Sequence, residues 1–113
     1  MIWTTPSQII APVQIAASTT TYYTVPTKNT ALISRLTFTN TDTSARTITV
    51  YFVPSAGTAG NDNMLVDAQS IPVDTTWICQ EAEGHILPAG ATIQMIASSA
   101  SKITAIGSAI LVS

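Results

Sequence analysis

Charge is what this sequence has least of. Of its 113 residues 9% are charged, with four basic and six acidic side chains and a net charge of −2. A soluble domain averages about 25%. The four basic residues, Lys28, Arg35, Arg46 and Lys102, are scattered along the chain. Nothing here can neutralise a run of phosphates, so nucleic acid is excluded as a partner. The same scatter excludes electrostatic docking on an anionic membrane. A single cysteine, Cys79, rules out an intrachain disulfide. The opening MIWTTPSQII has neither a basic n-region nor a continuous apolar h-region, so it does not read as a signal peptide. No apolar run approaches the roughly 18 residues of a membrane helix. The expectation is synthesis in a cytoplasm and no membrane partner.

What fills the space is apolar and hydroxyl side chains. Hydrophobic residues make up 46% of the chain, with Thr, Ser, Ala, Asn and Gln in place of charge. High hydrophobicity with low charge is the opposite of the disordered signature. A chain of 113 residues suits one domain, since a second core would lack sequence to bury itself.

The apolar pattern has a period near two. In TALISRLTFTN, Leu32, Leu36 and Phe38 alternate with Arg35, Thr37 and Thr39, and Ile33 breaks the pattern. In RTITVYFV, Ile48, Val50 and Phe52 oppose Thr47, Thr49 and Tyr51. TIQMIA sets Ile93 and Met95 against Thr92, Gln94 and Ile96. Such alternation describes strands with one face in a core, and the β-branched and aromatic content agrees. No helical stripe of useful length is present. Polar and Pro/Gly breaks at 40–45, 54–63, 72–74 and 88–90 supply the turns. Strands are predicted near 8–16, 21–26, 31–39, 46–53, 64–71, 75–80, 85–87, 91–98 and 102–112. That number of short strands implies an all-β fold, a single antiparallel β-sandwich of jelly-roll type. Residues 1–20, with Trp3, Pro6 and Pro12, form an extended N-terminal arm or an edge segment; residues 21–113 form the sandwich.

Candidate chemistry is thin. The stretch VPSAGTAGNDNML, residues 53–65, holds Gly57 and Gly60. A Walker loop needs GxxxxGK followed by Ser or Thr, and a dinucleotide fingerprint needs GxGxxG. Both are absent, so this is a strand connection whose glycines would permit positive φ. Glu81, Glu83 and His85 would share one face of a continuous strand and could bind a divalent metal or act as acid and base. Gly84 predicts a bend that breaks that face. Cys79 lies two residues from Trp77, the spacing of two inward side chains, and a buried thiol behaves as a small hydrophobe. Trp3, Tyr22, Tyr23, Tyr51 and Trp77 could offer a sugar-stacking platform, but they are dispersed, and a core or interface role is the better reading. No GxSxG elbow occurs. The chain is read as non-enzymatic, with no catalytic residue, no metal site and no cofactor.

One resemblance extends this reading. Tyr23-Thr24-Val25-Pro26 closes a strand, Phe38-Thr39-Asn40-Thr41 ends the next, and Val50 to Ser55 runs into Gly57-Thr58-Ala59. Leu87 to Ile96 carries a Leu-Pro-Ala-Gly turn and an alternating strand. This rhythm, over roughly residues 20–112 and thus most of one domain, resembles the small β-sandwich virion proteins of tailed bacteriophages. The resemblance implies a virion location and a capsid decoration, or cement, role with the major capsid protein or other virion proteins as partners. It leaves a neck, tail or fibre component open. A carbohydrate-binding host-attachment module is the alternative of another class.

Contacts are expected in three places. The N-terminal segment offers Ile2, Trp3, Ile9 and Ile10; the 54–63 loop offers Ala56, Gly57 and Thr58. The last strand, KITAIGSAILVS, is apolar on both faces, so Ile106, Ile110 and Val112 need a cover. A homo-oligomer, trimer or dimer, would supply one.

Overall fold

The computed structural model describes residues 3–113. The alternating segments form nine strands: β1 (Thr4–Gln14), β2 (Thr20–Thr24), β3 (Thr30–Asn40), β4 (Arg46–Val53), β5 (Met64–Ile71), β6 (Thr76–Ile78), β7 (Ile86–Leu87), β8 (Thr92–Ala97) and β9 (Ile103–Val112). Two single 3₁₀ turns, Asn61–Asn63 and Gln80–Ala82, interrupt the connections. Sheet A has the order β1-β9-β3-β6, with β7 also paired to β3; sheet B has the order β2-β8-β4-β5. Every pairing is antiparallel. The pairs are nested: β4 with β5, β3 with β6 and β7, β2 with β8, β1 with β9. This is one long hairpin rolled into two facing sheets, a jelly-roll-like β-sandwich.

The core lies between the sheets. Leu36, Phe38, Ile48, Val50, Ile93, Met95 and Ile103 are fully buried, and they come from alternate strand positions, as the period of two requires. Burying each such side chain contributes about 1.5–3 kcal/mol. With Cys79 free, cohesion rests on this burial and on the ladders.

Three sequence expectations are corrected. First, residues 4–14 take the edge-segment alternative, pairing with β9 in their own chain and sharing the core; what is corrected is the docking role of two residues there. Ile9 and Ile10 are buried in the core and cannot serve as docking contacts. Pro6 and Pro12 are tolerated because an edge strand needs no donors on its open side. Ile2 lies outside the described residues. Second, β3 shifts register between Ile33 and Arg35. The extra residue, Ser34, puts Ala31 and Ile33 before it and Leu36 and Phe38 after it on the same inner face. Leu32, expected beside Leu36 and Phe38, therefore faces outward with Arg35 and Thr37; a one-residue bulge exchanges the faces. Third, Gly57 and Gly60 do not take positive φ. The left-handed residue of that loop is Ala56 at φ 61°, and Gly60 is extended at −169°. Gly57 is a question of space, because a Cβ there would lie 3.0 Å from the Pro54 carbonyl oxygen.

Among the described residues one polar side chain is fully buried, Asn40 at the end of β3. Its amide nitrogen donates to the Ser44 and Ile71 carbonyls, both at 2.9 Å, and its oxygen accepts the Asp42 N–H at 2.8 Å. It thereby ties the 40–45 turn to the end of β5. Asp42 in turn accepts the Thr43 N–H at 2.7 Å and pairs with Arg46. The Thr43 N–H first, and then Arg46, hold the Asp42 carboxyl below its ordinary value of 3.8.

Asn40→Ala leaves buried carbonyls without a donor and is expected to cost about 1–3 kcal/mol, read as a lower urea midpoint at unchanged slope. Asp42 ionises at lower pH in the folded chain than in the unfolded one. Its contribution is thus complete above its ordinary value and is lost as pH falls through the lowered one. Thermal melts between pH 6 and pH 2 should show wild type losing its advantage over Asp42→Asn only in that acidic window; a pH-independent difference between the two would contradict the assignment.

Candidate interaction surface

The outer face of sheet A is built by the register of its strands. Pro6, Ile110, Leu32 and Ile86 fall in one row across β1, β9, β3 and β7. Gln8, Ser108 and Arg35 form the next row, and Ile106, Thr37 and Ile78 the one beyond. A polar row therefore lies between two rows rich in isoleucine and leucine. Ile86 is 64% exposed, Ile78 40% and Ile106 38%. Arg35 is the single charged residue in the five strands of this sheet. Its Nε lies 3.9 Å from Glu83 Oε2, on the segment between β6 and β7. A shallow depression of about 450 Å³ opens where β3 bulges, lined by Pro6, Gln8, Ser34, Ser108 and Ile110 among others. The face holds isolated hydroxyls and one ion pair, with no nucleophile beside a base.

A second concavity, of about 320 Å³, lies between the end of β4 and β7. Phe52, Met64, Leu65, Ile86 and Leu87 make it apolar, and His85 meets the Phe52 ring edge-on with centroids 5.9 Å apart. Glu81, Glu83 and His85 are not aligned on a strand: Gln80–Ala82 is a 3₁₀ turn and Gly84 sits at φ +85°. Among the described residues no three His, Cys, Asp or Glu side chains are placed to hold a metal ion. Glu83 is instead the partner of Arg35.

The remaining candidates separate. Cys79 is wholly buried in the core, and Trp77 stacks on Phe38 with ring centroids 5.9 Å apart. Burial pushes the Cys79 thiol up to about 11. Tyr22 and Tyr23 pack against the core, and the Tyr22 hydroxyl accepts the Ala16 N–H at 2.8 Å. Tyr51 is half-buried on sheet B and Trp3 stands alone, 64% exposed. These rings form no common platform. Of the expected contacts, Trp3, Ala56, Gly57, Thr58 and Ile106 are exposed, and Ile110 and Val112 are half-buried. Ile106, Ile110 and Val112 share the outer face of sheet A; Ala56, Gly57 and Thr58 lie apart from it in the β4–β5 loop. Leu32, Ile78 and Ile86 belong to the same face and were not anticipated. The alternation that puts Trp77 and Cys79 inward already placed Ile78 outward.

No family model and no curated protein matches the chain. Solved structures do. A chain of the Bacillus endospore appendages, described as disulfide-linked pili, superposes with a TM-score of 0.55 at 12% identity, over 98% of this chain and 88% of that one. A chain from the infectious bursal disease virus Gx strain gives 0.56 at 13%, over 99% of this chain and 33% of that one. The VP2 protein of that virus, in T=1 particles, gives 0.55 at 11%, over 98% and 31%. The chain spans most of the appendage protein and about a third of the viral ones. At these identities the likeness is one of fold.

The buried thiol carries a test. Cys79 in the native protein should react with an aromatic disulfide reagent orders of magnitude more slowly than in urea, because thiolate and access are both scarce. Fast stoichiometric labelling of folded protein would place Cys79 outside the core.

Proposed function

We propose that the chain is a bacteriophage virion structural protein, a capsid decoration (cement) protein that stabilises the shell by binding the major capsid protein. The observation that carries this reading is the outer face of sheet A, where rows of isoleucine and leucine flank a single ion pair, a surface suited to burial within an assembly of subunits. Interface centres are depleted of charge in the same way. The jelly-roll-like fold, which accommodates capsid and appendage proteins among its similar structures, supports a structural role, as does the absence of an assembled catalytic constellation among the described residues. A cement protein acts by burial: roughly 1,200–2,000 Å² per contact is enough for stable docking. Preference for the assembled shell stabilises that shell by mass action.

A neck, tail or fibre component is the second reading, and the 88% coverage of the appendage chain favours it specifically, since that match takes in most of a chain from disulfide-linked pili. Quantitative mass spectrometry of purified particles of the source phage separates the two. A copy number comparable to that of the major capsid protein is expected for decoration. A handful of copies per particle would move the chain to the neck or tail, and its absence from particles would overturn both.

A further inference from the structure

The outer face of sheet A is apolar on both sides of a polar row, and its layout is self-complementary. Its central row is polar, Gln8, Ser108 and Arg35, and an apolar row lies on each side. A two-fold axis along the central row would carry the Pro6–Ile110–Leu32–Ile86 row of one copy onto the Ile106–Thr37–Ile78 row of the other. Apolar surface would then meet apolar surface at both ends.

The charges point to the same occupant. Arg35 and Glu83 are opposite in sign, adjacent and partly exposed, at 58% and 35% of their side chains. Because the face is neutral as a whole, a strongly charged partner gains nothing from it. A second copy brings its own pair to the axis, so that two guanidinium and two carboxylate groups gather there with no net charge. Pairs of this kind fix register more than they add affinity.

The size is adequate. Ten residue pairs join β3 to β9, and four strands lie across the sheet. At about 3.4 Å per residue and 4.8 Å per strand this is on the order of 600 Å² of projected face. A corrugated face has more accessible area than its projection, which brings it near the roughly 800 Å² per partner of a standard interface. The depression beside Ser34 and Ser108 provides the relief into which a facing isoleucine can sit.

We infer that the outer face of sheet A is the interface of a two-fold homodimer, with the Arg35–Glu83 pairs of both copies gathered at the axis and Ile78, Ile86 and Ile106 at its apolar flanks. This deepens the structural-subunit reading and rests on it. It names the surface and the partner, a second copy of this chain, and leaves contact with the shell to surface outside that face, such as the exposed Ala56, Gly57 and Thr58 of the β4–β5 loop. The edges of sheet A agree with face-to-face docking. β1 carries two prolines, and β6 and β7 are three and two residues long, so lateral strand addition is disfavoured.

The test is the solution mass of the full chain by light scattering behind a sizing column, with circular dichroism melts to confirm folding. Wild type should run at twice the 11.8 kDa chain mass. Arg35→Glu gathers four carboxylates and Glu83→Arg four cations; each should shift the protein to monomer, with at least a tenfold weaker dimer. The double variant Arg35→Glu/Glu83→Arg should restore the dimer, which a purely intrachain ion pair would not predict. Ile106→Asp should also dissociate it. A monomeric wild type overturns the inference, as does a dimer indifferent to all of these substitutions, or an open-ended polymer. If Ile106→Asp fails to fold, the charge reversals at exposed positions still decide. Particle copy number is independent of these results. A monomer found on shells sinks the dimer and keeps the decoration reading, and a dimer missing from particles does the reverse.

Discussion

Strand β9 must fit between β1 and β3, and the rest of the molecule is arranged around that fit. Its inward residues are small: Ala105, Gly107 and Ala109 follow Ile103 toward the chain end. The bulk comes from the neighbours. A Cβ at Gly107 would lie 2.7 Å from Leu36 Cδ2 and 3.3 Å from Ile10 Cβ, so glycine is there for room and not for an unusual backbone angle. Both neighbours are irregular near that point, β1 around Ile10 and β3 between Ile33 and Arg35. These irregularities turn Ile10, Ile33 and Leu36 toward the space that β9 leaves open. Because β9 pairs with β1, the first and last strands close the sandwich together. The β4–β5 hairpin is the most local pair, and each outer pair joins segments farther apart in sequence. Closing the larger loops costs chain entropy before their contacts form.

The same arrangement distinguishes the two outer faces. Sheet B presents Thr47, Thr49 and Tyr51 from β4 and Thr92, Gln94 and Ile96 from β8, a surface mainly of hydroxyl and amide groups. Sheet A presents isoleucines flanking a single ion pair. A low-charge surface of the first kind can bind water through its hydroxyls and amides. One of the second kind gains free energy when another apolar surface covers it. The functional proposals therefore concentrate on sheet A, while sheet B and the Asn40–Asp42 turn belong to stability.

Much of the fold was legible before any coordinates. β4 and β5 begin and end where alternation and flanking turn residues put them, at 46–53 and 64–71. The other boundaries moved by a few residues. The start of β1 was hidden by Pro6, which reads as a breaker until the strand is known to lie at an edge. Ile33 was the visible sign of the bulge in β3, since it broke the alternation; the sequence pattern alone placed Leu32 in the core because it does not mark where an extra residue is inserted. The candidate surface was legible in one strand. β9 is apolar on both faces, and Ile106 and Ile110 do lie outward. Ile9 and Ile10 went wrong because apolar residues near a chain end are equally consistent with docking and with burial.

Composition and period by themselves determined that the chain is all-β, that it forms a sandwich without an intrachain disulfide, and that its sequence carries no recognisable catalytic motif. Those properties are local or additive: they depend on which residue types occur and how often they alternate. The tertiary structure alone decided which of two chemically similar strand faces meets the core, that Arg35 comes to rest beside Glu83, and that rows from five strands merge into one apolar surface. These depend on register, and a single inserted residue such as Ser34 reverses the faces of everything on one side of it relative to the other.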